Sequence, residues 1–154
     1  RYLYNKSVTE HVYLRVVYDF EGQTYQIEST ADPFLISKEE ESPKKKEGDG
    51  EAEKEEADEK ATFSPVENRF LRPVKLPGGV AFKDIFVSYL DRRIEAGKAY
   101  TYFFPNGFAT PTIINLRNED DDEFYSIEVR PLSGRAIVRG EYYDASVTLE
   151  GKGK

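Results

Sequence analysis

His11 is the only histidine of the chain, so any Ser/His/Asp hydrolytic arrangement would have to be built on it. It stands at the head of an apolar–polar alternation with no positioned nucleophile nearby, and it reads as a surface or strand-edge histidine. Asp120-Asp121-Asp122-Glu123 is the best candidate for a cation. Carboxylate oxygens suit Ca²⁺, but the alternating ligands and central glycine of an EF-hand loop are missing. Consecutive acids in a tight reversal point in different directions, so the run reads as a solvated turn, with Ca²⁺ as the weaker alternative. Gly78-Gly79 lacks the Lys-Ser/Thr that a phosphate loop needs. Asp91 and Glu95 have the residue types of a glycosidase pair, in a chain so rich in acids that such pairs arise by chance. Tyr100, Tyr102, Phe103 and Phe104 could stack on a sugar, but they read first as an aromatic strand with rings on both faces of a β core. The chain reads as non-enzymatic, with no cofactor.

The elements that would carry these residues are strands. Lys98 to Arg139 reads as four of them: Tyr100 to Phe104, Phe108 to Leu116, Tyr125 to Val129 and Arg135 to Arg139. Period-two alternation bounded by Pro, Gly and Asn marks half-buried antiparallel strands, and Asn106-Gly107 suits a tight hairpin because both residues tolerate positive φ. Phe108, Thr110, Thr112, Ile114 and Leu116 fall on one face. Tyr125, Ile127 and Val129 share another. Upstream, His11 to Phe20 reads as a strand with Val12, Leu14, Val16, Tyr18 and Phe20 inward. Glu21-Gly22 turns it into a partner over Thr24 to Glu28, with Tyr25 and Ile27 inward. Val80 to Tyr89 is a further strand whose apolar phase slips between Phe82 and Ile85, which predicts a bulge near Lys83-Asp84. Asp91 to Gly97 reads as a charged connection, and Arg139 to Asp144 as an extension of the last strand. Tyr4 and Val8 are spaced to share a helix face, so the first ten residues read as the end of a short helix or as an irregular start.

At 154 residues one domain spanning 1–154 is the expectation. A chain of this length buries roughly 68–70% of its unfolded surface, enough for one core. The Tyr- and Phe-rich composition favours strands. The net charge is −7, and a phosphate backbone repels such a surface, so no nucleic-acid partner is expected. Within Lys38 to Lys60 there are 11 acids and six lysines, hence −5, leaving −2 for the remainder. Its only apolar side chains are Ala52 and Ala57, too few to offset the ordering entropy. It reads as a mobile acidic insertion at 38–60, and 148–154 reads as a frayed tail. The absence of cysteine excludes disulfides and thiolate chemistry. No apolar run reaches the ~20 residues of a membrane span. The chain starts at Arg1 and has no Met, which suggests that a targeting or anchoring segment precedes it.

Three groups of residues carry a family resemblance: Phe104-Pro105-Asn106-Gly107; Ile114-Asn115-Leu116; and Ile127-Glu128-Val129 followed by Pro131-Leu132-Ser133-Gly134-Arg135. Together they resemble the C-terminal half of the H-type minor pseudopilins of type II secretion and of the related FimT-like minor pilins. That family has a turn of the kind formed by Phe104, Pro105 and Gly107, then a strand of alternating aliphatics, then a Thr-Gly-Arg turn into the last strand. Ser133-Gly134-Arg135 stands in that last place, with Ser for Thr. The resemblance implies a mainly β, two-sheet pilin-like domain behind a short N-terminal helix remnant. It implies an N-terminal apolar helix, processed and methylated, anchoring the subunit in the bacterial inner membrane with its β domain in the periplasm. It also implies assembly with other minor pseudopilins and the major pseudopilin near a fibre tip, secreted cargo as a further partner, and subunit contacts through Tyr2, Tyr4 and Val8. The acidic composition disfavours the DNA-binding FimT-like branch. A β-sandwich ligand-binding module is the alternative from another class.

Overall fold

The computed structural model describes residues 1–32, 63–66 and 72–145. The acidic stretch 38–60, the tail 148–154 and the apolar pair Phe70-Leu71 lie outside the described residues. A short helix, α1 (Tyr2–Glu10), leads into β1 (Tyr13–Asp19) and β2 (Thr24–Thr30). Two short pairings follow, β3 (Ser64–Pro65) and β4 (Val74–Lys75), then β5 (Val80–Val87), β6 (Arg92–Ile94), β7 (Lys98–Phe104), β8 (Phe108–Ala109), β9 (Thr112–Asn118), β10 (Phe124–Val129) and β11 (Ala136–Arg139). Two antiparallel sheets result. In one the order is β3-β2-β1-β7-β8, with β4 also on β2; in the other it is β11-β10-β9-β5-β6. The fold is thus mainly β, in two packed sheets with one helix, as the sequence led us to expect.

Alternation builds the core between them. Leu14, Val16 and Tyr18 of β1 and Ile27 of β2 are buried against Phe82, Ile85 and Val87 of β5 and Ile114 of β9. Both Phe82 and Ile85 point inward because β5 shifts register against β9 between Phe82 and Asp84. That is the expected bulge: one extra residue restores the apolar phase and turns Asp84 to the outer face. A chain of hydroxyls crosses this core. Tyr18 Oη lies 3.1 Å from Thr101 Oγ1, which lies 2.8 Å from Thr112 Oγ1, which donates to the Thr110 carbonyl at 3.0 Å. Each buried oxygen therefore has a partner, as burial requires.

Three boundaries differ from the expectation. The strand foreseen over Phe108 to Leu116 is two strands in different sheets: β8 pairs with β7, and β9 pairs with β5 and β10. Pro111 sits at the crossover, where it has no N–H to give to a ladder. Parity is kept through the switch, so Thr110, Thr112 and Ile114 are all buried. The connection after Asp91 contains β6, whose Ile94 enters the core. The last strand ends at Arg139. Residues 142–145 instead cross the outer face of the second sheet, where the Asn115 amide grips Tyr143 by its backbone N–H and C=O, both at 3.1 Å.

Candidate functional site

His11 caps the helix, not a strand. It is exposed, in the left-handed conformation (φ 53°), and its N–H bonds Ser7 O. Histidine is among the few side chains enriched in that region. Asp120 to Glu123 forms the β9–β10 turn, closed by Asn118, whose Oδ1 accepts from the Asp122 and Glu123 amides. Asp121 is engaged by Lys83 at 2.7 Å and by Arg117 at 3.8 Å. Among the described residues no three acids or histidines converge on a common point.

The aromatics divide by face. Phe103 joins the core, while Tyr100, Tyr102 and Phe104 run as a ladder on the outside of the first sheet, with centroids 6.0 and 6.4 Å apart. Tyr13 and Phe108 extend it beyond Phe104. Phe63 covers it through Arg15, whose guanidinium lies 4.1 Å from the Phe63 ring and 4.6 Å from Tyr100. Burial works against the Arg15 charge, but its 2.6 Å bond to Glu28 outweighs that and holds the guanidinium above its ordinary pKa. The middle rung, Tyr102, is 4% exposed. The ladder is therefore a small second core on the outer face, with its centre closed to a ligand.

The two glycine turns of the sequence motif meet at the helix. Tyr4 lies across both. A Cβ on Gly107 would stand 3.0 Å from Tyr4 Oη, and one on Gly134 would stand 2.9 Å from Tyr4 Cγ. Both glycines have positive φ, 84° and 56°, so each turn demands glycine twice: for conformation and for space. Nine residues of helix are marginal in water, and α1 holds its shape by this docking. Ser7, fully buried, donates to Val12 O at 2.6 Å and approaches Phe103 O at 3.2 Å. Lys6–Glu10 adds a surface ion pair. Of the other proposed contact residues, Val8 is half-buried and Tyr2 is 58% exposed.

Two clefts open beside the first turn of α1. One, of about 360 Å³, is apolar. Tyr2 and Leu3 form its lip, and Ile27, Leu116, Ile127 and Ala136 are among its walls. Beyond it the same face of β10 and β11 stays uncovered: Tyr125 is 56% and Val138 65% exposed, although alternation and register place them beside Ile127. The other cleft, of about 830 Å³, runs between α1 and the β10–β11 turn. Arg1, Arg130 and Arg135 line it, and among the described residues no acid does. This grouping escapes a sequence reading because 128 residues lie between Arg1 and Arg130.

No family model and no curated protein sequence matches the chain. Its structure is similar to that of the minor pseudopilin EpsH from the type 2 secretion system of Vibrio cholerae, with a TM-score of 0.53, 10% identity, and coverage of 93% of this chain and 90% of that one. At that identity the likeness is one of architecture, and the domain has a pseudopilin-like fold.

Proposed function

We propose that this chain is the globular domain of a minor pseudopilin of the H type, a structural subunit of the short periplasmic fibre that drives type II secretion. One observation carries the reading. The inner face of β9–β11 ends in an exposed apolar margin, Tyr125 and Val138, beside the apolar cleft whose lip is formed by Tyr2 and Leu3. A helix continuing α1 backwards from Arg1 would cross that face and remove Ile127, Tyr125 and Val138 from water. Such burial is worth about 25 cal/mol per Å² of apolar surface, so a helix lying there would be held by it. The fold shared with EpsH and the motif turns at Phe104–Gly107 and Ser133–Arg135 support the same assignment. On this reading an apolar segment ahead of the domain anchors it in the inner membrane, and other pseudopilins contact it through α1 and the adjacent turns. Placement near the fibre tip, methylation and contact with cargo belong to the same proposal.

The test is the intact mass of the native protein recovered from the membrane fraction. A methylated apolar segment ahead of Arg1 is the expected result. A protein whose mature N-terminus lies at Arg1 and which stays out of the membrane overturns the reading.

A further inference from the structure

The β10–β11 turn projects beside the start of α1 and has an unusual composition for an acidic protein. Leu132 at its tip is 77% exposed. Arg130 and Arg135 flank it. Arg135 is exposed and carries no ion pair among the described residues. Arg130 is about half exposed and has only a 3.5 Å contact with Glu128, which is worth little in water. Across the cleft stand Arg1 and Asn5 of α1. Among the described residues no acid lines this cleft, in a chain of net charge −7. An exposed leucine on an otherwise solvated tip is a poor choice for water. An exposed apolar side chain between two arginines is what the water–lipid boundary selects: the leucine leaves water while the guanidinium forks pair with phosphate. Gly134 holds the turn against Tyr4, so its distance from the exit of α1 is set by the fold.

We propose that the tip formed by Arg130, Leu132 and Arg135 rests on anionic phospholipid headgroups, with Leu132 inserted and the arginines on phosphate, which sets the tilt of the domain over the bilayer. This rests on the reading above, in which α1 leads to a membrane. A soluble polyanion would satisfy the arginines but leave Leu132 in water. An acidic protein partner would need no bilayer.

The chain has no tryptophan, so Leu132→Trp introduces a single reporter at an exposed site. The 154-residue protein is tethered through a histidine tag ahead of Arg1 to nickel-chelating vesicles of phosphatidylcholine, or of phosphatidylcholine mixed equally with phosphatidylglycerol. The expected result is a blue-shifted emission, quenched by brominated acyl chains, on the anionic vesicles alone. Arg130→Gln and Arg135→Gln should each weaken it roughly five-fold. Hydrogen exchange of the 130–136 amides in the unsubstituted protein, slowed on the same vesicles, is the control for any effect of the reporter. A tryptophan that stays in water on both vesicles overturns the proposal, as does equal quenching on both. A blue shift restored by soluble polyphosphate without lipid quenching also overturns it. Because the tether supplies the anchor, this outcome is separate from that of the intact-mass experiment, which alone tests for the upstream helix.

Discussion

Gly134 is buried, has φ of 56°, and presses its bare Cα toward the Tyr4 ring. A methyl there meets two penalties, the left-handed backbone and the overlap with Tyr4. Gly134→Ala should therefore cost about 2–4 kcal/mol. Tyr4→Gly removes the overlapping atoms, Cβ included, along with the docking of the ring, and leaves the backbone penalty, so the double substitution should lose less than the sum of the two single losses. Urea midpoints of the four proteins check this, and strict additivity would show that Tyr4 does not bear on Gly134. Tyr18 supplies a titration. Burial pushes its hydroxyl up to about 12, against the relief given by its bond to Thr101. Below pH 10 the phenol is neutral in both folded and unfolded chains. Between 10 and 12 the unfolded chain ionises and the folded one resists, so stability falls as pH rises, by up to about 3 kcal/mol. Tyr142 adds to the same trend, since burial and its bond to the Asp84 carboxylate raise it further. Tyr18→Phe should flatten much of the alkaline decline in denaturant midpoint; an unchanged slope would place the titration elsewhere. Ser126 is fully buried, and among the described residues its Oγ has no partner. Ser126→Ala should thus be neutral or stabilising by about 1 kcal/mol in thermal unfolding.

Among the elements, the segment 142–145 is held by polar groups of the second sheet, with Phe124 and Arg139 against the Tyr142 and Tyr143 rings. Asn115 grips Tyr143, Tyr142 Oη donates to Asp84 at 2.7 Å, and Arg93 reaches Asp144 at 3.0 Å. Asn115 also donates to Asp84 at 2.8 Å, and Asp84 is 2% exposed. Asn115→Ala should cost about 2–3 kcal/mol, because it leaves that carboxylate short of a donor as well as freeing Tyr143. Hydrogen exchange should show the Tyr143 amide losing protection while β5 and β9 keep theirs. Protection retained at Tyr143 would mean that the other contacts of the segment secure it without Asn115. The sequence showed these elements unevenly. The bulge in β5 was legible because apolar parity itself slips at Lys83. The sheet switch at Pro111 was not, since parity runs unbroken from Thr110 to Ile114 and alternation does not say which sheet a strand joins. β6 offers one inward residue, Ile94, too little for a period. The packing role of the motif glycines was hidden because the ring they accommodate sits at position 4. His11 reads by alternation as the first residue of a strand, and only the backbone shows that it ends a helix.

For the whole molecule, β1 is the strand on which the first sheet depends, and its two neighbours come from opposite ends of the chain. β2 follows it at once, whereas β7 pairs Phe103 with Leu14. A chain made from its N-terminus therefore meets a waiting period. At roughly 5–20 residues per second, the ~70 residues from the end of β2 to the end of β7 take about 4–14 s to appear. Throughout that interval one edge of β1 is unpaired and able to find the same edge on another newborn chain. The segment that emerges next is the stretch from Lys38 to Lys60, with its 11 acids. Its net −5 attached to every early hairpin makes two such hairpins repel before either can finish its own sheet. The expected consequence is that the charge run matters before β7 arrives and little afterwards. Neutralising it should leave the finished domain's unfolding midpoint nearly unchanged while lowering the yield of monomer on rapid refolding at high concentration. An unchanged yield would remove that role.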